Sequence, residues 1–324
     1  MVASAGGAWA AGPVETAILD ELARDVPGGL RADHWNWLAD SGGRLRILRG
    51  GAGAPGGDTL VLLHGRGHAA SVWFPCWPGL AQRHRILAVD LPGFGAAERG
   101  APPGGAPDAG AERALAFFAD PVEAFLAAEV AVGPGGAGLA LMGHSLGALV
   151  ALELALRGRL PVRRLVLIDG MGLGPEMTLA GRLFFRLHPE RLARVLGARI
   201  FGWLNPSPPT PLGRRVAALE HELLTVPRSA RAAAARAFDA LCPLRGPVFH
   251  RRERLGELDL PVLLLWGQHD AALPPANATG AQPSLPRARY LALAGGHSPH
   301  LEAPEEALAP VLDFLGARRD FPGD

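Results

Sequence analysis

Six short runs are apolar at nearly every position: 59–63, 85–89, 138–142, 164–168, 262–266 and 289–293. A strand with one wet face alternates apolar and polar residues. Continuous apolarity instead predicts strands covered on both faces, as in a parallel sheet sandwiched by helices. Segments of helical period lie between the runs, at 70–83, 112–130, 146–157 and 304–317. Strand, helix, strand, helix is the order of α/β architecture with right-handed crossovers. Upstream, 34–39 and 44–48 flank Asp40-Ser41-Gly42-Gly43 and predict a β-hairpin. Residues 1–30 are rich in Ala and Gly, with a helical pattern about Ile18, Leu19 and Leu22, which suggests a loose leader or an edge helix. Gly/Pro-rich loops are expected at 100–108 and 132–138.

One interval breaks the alternation. Residues 171–255 contain no clear strand but four helical segments, at 179–187, 190–201, 212–224 and 228–241. The expected organisation is a leader or edge helix over 1–33, a core over 34–170, a helical cap over 171–255, and the core resumed over 256–324.

Composition narrows the function classes. The chain has 324 residues, 48% of them hydrophobic and 19% charged, with a formal net charge of +1. That excludes a disordered tail and a basic nucleic-acid-binding protein. Every one of the 32 basic residues is Arg. The absence of Lys removes Schiff-base chemistry, a P-loop lysine and a Ser–Lys dyad. Two cysteines, Cys76 and Cys242, make neither a disulfide framework nor a zinc site. The N-terminus lacks the positive region of a signal peptide, and no uninterrupted run of 18 apolar residues occurs, so a cytoplasmic protein without a transmembrane segment is expected.

Gly143-His144-Ser145-Leu146-Gly147 fits G-x-S-x-G between a strand run and a helical run. In that setting the glycines permit a tight turn that exposes the Ser145 hydroxyl as a nucleophile. Serine needs a base within hydrogen-bond reach. His297, in a Gly-flanked loop after the last strand run, is favoured, with His300 as competitor. The base in turn needs a carboxylate to set its tautomer. Asp270, just past 262–266, is favoured, and Asp169, just past 164–168, is the alternative. Oxyanion donors are expected from the N–H of Leu146 and from that of Arg66 in His64-Gly65-Arg66-Gly67.

Together HGRG (64–67), DLPGFG (90–95), GHSLG (143–147), WGQHD (266–270) and GGHSPHLEAPEE (295–306) resemble the α/β-hydrolase superfamily over residues 34–317. The resemblance implies an eight-stranded, mostly parallel sheet and a cap inserted after the sixth strand. It also supports Ser145, Asp270, His297, Arg66 and Leu146 in the roles given, in the chain order Ser, Asp, His. Members that open epoxides or cleave carbon–halogen bonds use Asp where this chain has Ser145. Leu146 resembles esterases, lipases and thioesterases more than haloperoxidase-like members.

The expected activity is hydrolysis of a carboxylic ester through an acyl-enzyme, with no cofactor and no metal. An acyl thioesterase, carrier-protein or CoA linked, or a C–C bond hydrolase is the alternative. A ligand-binding member without catalysis is more remote. Charge adds one feature. Residues 171–255 carry 14 Arg against six acids, a formal +8, while the rest carries 18 Arg against 25 acids, a formal −7. Such a cap suits solvated helix faces, or the steering of an anionic substrate or partner such as acyl carrier protein, a CoA thioester or an anionic membrane surface. Apolar cap residues (Leu183, Phe184, Phe185, Leu187, Phe201, Trp203, Leu204) serve core packing or an acyl lining, as do Trp73, Phe74 and Trp77.

Overall fold

Side chains of β3 (Thr59–Leu63) show why its run is apolar throughout. Leu60 and Leu62 enter the core on one side of the sheet, and Val61 and Leu63 enter the core on the other. The same division holds for β5 (Leu139–His144) and β7 (Val262–Gly267). Period-two alternation is present, but both faces are dry. The computed structural model describes residues 12–38, 43–53, 57–97, 110–132, 138–204, 209–226 and 231–316. The hairpin turn at 40–42, the loop at 100–108, residues 133–137 and the break at 205–208 lie outside them. So do the first eleven residues and the side chains of Phe201, Trp203 and Leu204.

Among the described residues eight strands form one sheet, in the order β1-β2-β4-β3-β5-β6-β7-β8. β1 (Leu30–Leu38), β2 (Gly43–Gly50) and β4 (Ile86–Val89) pair antiparallel in sequence. All later pairings, through β6 (Val162–Ile168) and β8 (Ala288–Leu293), are parallel. On one face lie α3 (Ala111–Val132) and α4 (Leu146–Arg157). On the other lie α1 (Pro13–Asp25), α2 (Trp77–Ala81) and α11 (Pro304–Gly316).

One reading changes, and one alternative is decided. The helix expected over 70–83 is a 3-10 turn, Ala70–Trp73, followed by the short α2. Pro75 and Pro78 explain the interruption, since each lacks an N–H and disfavours helical backbone before it. Of the two alternatives for the pattern about Ile18, a loose leader or an edge helix, the structure has a helix. α1 buries Ile18, Leu19 and Leu22, and its Glu15 forms a fully buried ion pair with Arg46 of β2.

Between β6 and β7 run α5 (Leu179–Arg186), α6 (Pro189–Leu204), α7 (Pro211–Thr225) and α8 (Arg231–Leu241). Gly197, at φ 72° and ψ 168°, interrupts α6. A parallel bridge between Gly172 and His250 closes the root of this insertion. Beyond β7 lie α9 (Ala276–Ala281) and α10 (Pro299–Glu302). No helix among the described residues is long and apolar enough to cross a membrane.

Candidate active site

The strand order reverses at β3, which pairs with β4 on one side and β5 on the other. Loops leaving the carboxyl ends of β3 and β5 therefore diverge and leave a crevice between them, the switch point where open α/β sheets bind ligands. Arg66 follows β3 and Ser145 follows β5, so both stand at this crevice.

Ser145 sits between β5 and α4 with φ 51° and ψ −114°. Non-glycine residues avoid positive φ, and here the surroundings hold it in place. Its N–H donates to the Ile168 carbonyl (3.0 Å), and its own carbonyl accepts from Met171 N–H (3.1 Å). A Cβ on Gly147 would collide with the backbone at Leu63 and His64, so helix and strand meet there only through glycine. A Cβ on Gly65 would strike the His144 ring, so the 64–67 loop lies directly against the serine turn.

His297 joins the sequence-predicted residues. Its Nε2 is 3.1 Å from Ser145 Oγ and its Nδ1 is 2.8 Å from Asp270 Oδ2. A carboxylate oxygen accepts, so Nδ1 carries the hydrogen and Nε2 is free to take a proton from serine. Asp270 Oδ1 accepts N–H bonds from Ala272 (2.7 Å) and Leu273 (2.9 Å), which orient the carboxylate. The competing histidine, His300, is fully buried between the rings of Trp73 and His144, at 4.7 and 4.6 Å.

Asp169 stands beside this chain of bonds rather than in it. It is fully buried, and its Oδ1 accepts from Gly267 N–H (2.8 Å). Burial, reinforced by the neighbouring Asp270, pushes its carboxyl well above the usual carboxylate range. Asp169, Asp270 and His297 bring ligand-type atoms within 4.8 Å of one another. Asp270, however, already faces three N–H donors, which is the surrounding of a hydrogen-bonded carboxylate rather than of a cation.

Arg66 and Leu146 flank Ser145, and neither backbone N–H meets a backbone carbonyl among the described residues. The side chain of Arg66 turns away into the insertion. It pairs with Glu190 (3.2 Å) and lies 5.0 Å from the Phe238 ring centre. His64 shapes the loop instead of meeting substrate. It donates from Nδ1 to Gly65 O (2.7 Å) and accepts at Nε2 from Leu91 N–H (2.9 Å), linking HGRG to DLPGFG.

Two supporting residues escaped the sequence reading. His144 Nε2 lies 2.8 Å from the His297 carbonyl. Glu302 accepts from Gly296 N–H (2.7 Å) and Ser298 N–H (3.2 Å), the two peptides that bracket His297. Both residues lie inside the quoted motifs, but their contacts run to backbone atoms, which carry no sequence signature.

Above Ser145 and His297 opens a cavity of about 600 Å³. Phe184, Phe185, Leu187, Leu192, Val216 and Leu224 supply apolar wall, all from the insertion. Its polar wall includes the pair His68–Glu220 (3.1 Å). Trp73, Phe74 and Trp77 are buried in the core and do not line the cavity. Cys76 and Cys242 are unpaired, and burial pushes both thiols up to about 12.

Part of the charge split proves internal. Arg215 pairs with Glu21 of α1, and Arg251 with Glu112 and Glu153. Arg191, Arg194, Arg214, Arg236 and Arg245 stand exposed.

Comparison with known proteins agrees with this architecture. The model of the alpha/beta hydrolase family matches residues 60–311. A pimeloyl-[acyl-carrier protein] methyl ester esterase of Aeromonas hydrophila is 28% identical, over 80% of this chain and 96% of that protein. A protein of the same name from Nitrosomonas europaea is 29% identical, over 77% and 92%. The solved structure of the esterase RhEst1 from Rhodococcus covers 88% of this chain and 98% of its own, with a TM-score of 0.65 and 26% identity.

Proposed function

The chain belongs to the alpha/beta hydrolase family, and from that premise we propose that it is a serine hydrolase of carboxylic esters with an apolar acyl part. The observation that carries this reading is the bonded chain Ser145–His297–Asp270, at 3.1 and 2.8 Å, beneath a cavity walled by Phe and Leu side chains.

Ser145 Oγ attacks the ester carbonyl carbon while its proton passes to His297 Nε2. The carbonyl oxygen becomes an oxyanion and takes hydrogen bonds from the N–H groups of Leu146 and Arg66. Donors preset for developing charge need no reorganisation as the barrier is crossed. Asp270 holds Nδ1–H and favours the imidazolium. His297 then gives its proton to the departing alkoxide, leaving acyl-Ser145. Water, deprotonated by His297, repeats the sequence and releases the acid. On this reading α5 to α8 form a cap that shields the acyl-enzyme from solvent.

Ser145→Ala tests it. Turnover of a p-nitrophenyl acyl ester and labelling by a fluorophosphonate are both expected to disappear while the circular dichroism spectrum persists. Retained turnover would refute the assignment of Ser145.

A second reading, an acyl thioesterase acting on a carrier-linked or CoA-linked substrate, is favoured by the exposed arginines of the insertion and by the carrier-linked substrate in the name of two relatives. Assay of an oxygen ester beside its thioester counterpart separates the two.

A further inference from the structure

Among the described residues the bulky apolar side chains most open to solvent all belong to the insertion. Leu179 is 68% exposed, Leu183 46%, Leu187 58% and Val195 83%, with Leu244 beside them in rank. Leu179, Leu183 and Leu187 are spaced four apart, so they share one face of α5 and its end. The opposite face carries Phe185, which packs on Phe238 and lines the cavity. A surface helix needs only one apolar stripe. α5 therefore has a second stripe that the fold leaves uncovered. Arg182 donates to the Pro243 carbonyl (2.5 Å) and so brings the loop bearing Leu244 to the same helix.

Charge marks what this ridge fits. Arg186, Arg191, Arg194 and Arg245 are exposed around it. The nearby acids are occupied or displaced: Glu190 is buried against Arg66, Asp239 pairs with Arg186, and Glu176 precedes the helix. Aliphatic side chains among arginines that outnumber the nearby acids are the signature of an interfacial helix. Each arginine near an anionic leaflet strengthens binding about fivefold. Leu187 belongs both to the exposed ridge and to the cavity wall, so carbon leads from the outer surface toward Ser145.

We propose that the Leu179–Leu183–Leu187 face seats the protein on an anionic lipid surface, from which esters enter the cavity past Leu187. The seating is independent of the hydrolase reading, whereas the delivery of ester rests on it. A lipid surface fits better than an acidic carrier protein. A carrier presents its acyl group on a long polar arm that needs hydrogen-bond partners, and the entry beside Leu187, Phe184 and Leu192 offers carbon.

The test is sedimentation of the full chain with vesicles of phosphatidylcholine, with and without phosphatidylglycerol. It is run for the wild type, for Ser145→Ala and for Leu179→Ser/Leu183→Ser. The wild type and Ser145→Ala are expected to bind the anionic vesicles equally, and less at high salt. The double leucine variant is expected to lose on the order of tenfold or more in partitioning. Its turnover of a soluble p-nitrophenyl acetate is expected to stay at the wild-type value, which shows that the fold is intact. Equal partitioning of wild type and leucine variant overturns the proposal, as does absence of binding to anionic vesicles. So does a self-association, or a complex with purified acyl carrier protein, that the leucine substitutions abolish while vesicles are ignored. Turnover by Ser145→Ala would instead refute the hydrolase reading and leave the seating untouched.

Discussion

The ring of His144, the residue before Ser145, points its Nε2 at the main-chain carbonyl of His297 over 2.8 Å. A carbonyl only accepts, so Nε2 carries the hydrogen and the ring is a neutral donor. Burial and the surrounding histidines pull its pKa well below the ordinary value, which keeps that form. The strand end that carries Ser145 thus also holds the peptide of His297. His144→Ala is expected to lower kcat about tenfold to a hundredfold with KM little changed, because misplacing a reacting group costs on that scale. His144→Gln keeps an N–H donor and should recover part of the loss. Steady-state kinetics on one ester would show it, and a matching rise in KM would argue for a binding role.

The two carboxyl groups after β6 and β7 are predicted to respond oppositely to amide substitution. Asp270→Asn would present an NH2 to His297 Nδ1 and force the wrong tautomer, with a loss of about 10³- to 10⁴-fold in kcat. Burial beside Asp270 pushes the Asp169 carboxyl well above the usual range and so favours the protonated form, which Asn mimics. Asp169→Asn should keep activity within about threefold. It should also raise stability at neutral and higher pH. The unfolded chain releases the Asp169 proton near 4 while the folded chain keeps it, so the wild type loses stability as pH rises through that window. Melting curves at two pH values decide this.

The buried histidines act in the other direction. Burial lowers His64 to about 4 and drives His144 and His300 well below 6.5. The unfolded chain binds protons near 6.5 that the folded chain refuses. Their contribution is therefore complete above about 6.5 and is lost as pH falls through the window below it. For His64 alone the loss by pH 4 is about 3 kcal/mol. Urea denaturation at pH 7 and pH 5 should show a lower midpoint at pH 5, and His64→Asn should flatten that difference.

Arg46, fully buried, is held by Glu15 (2.5 Å) and Asp90 (2.7 Å). Asp90 also accepts the N–H groups of Ala70 and Ala96, both at 2.6 Å. Asp90→Ala would leave Arg46 half paired and two N–H groups bare in the core. Breaking a buried pair from one side costs about 3–5 kcal/mol. Equilibrium unfolding in urea measures it, and a loss under about 1 kcal/mol would show that the fold relaxes around the charge.

Much of this was legible in the chain. Apolar runs without alternation determined a sheet covered on both sides, because only that setting dries both faces of a strand. G-x-S-x-G between a strand and a helix marked Ser145, a glycine-flanked loop after the last strand run pointed to His297, and a place just past the 262–266 run pointed to Asp270. Tertiary structure decided what depends on proximity between distant segments. It set Asp270, the favoured carboxylate, against the imidazole and turned Asp169 to the Gly267 N–H, a contact that depends on how adjacent strands lie in the sheet. It aimed His144 and Glu302 at the His297 backbone, a contact to atoms every residue shares. It turned part of the charge split into internal ion pairs, and it left one leucine face of α5 uncovered. Local pattern encodes what a segment buries, whereas the partner it meets is set only once the chain has folded.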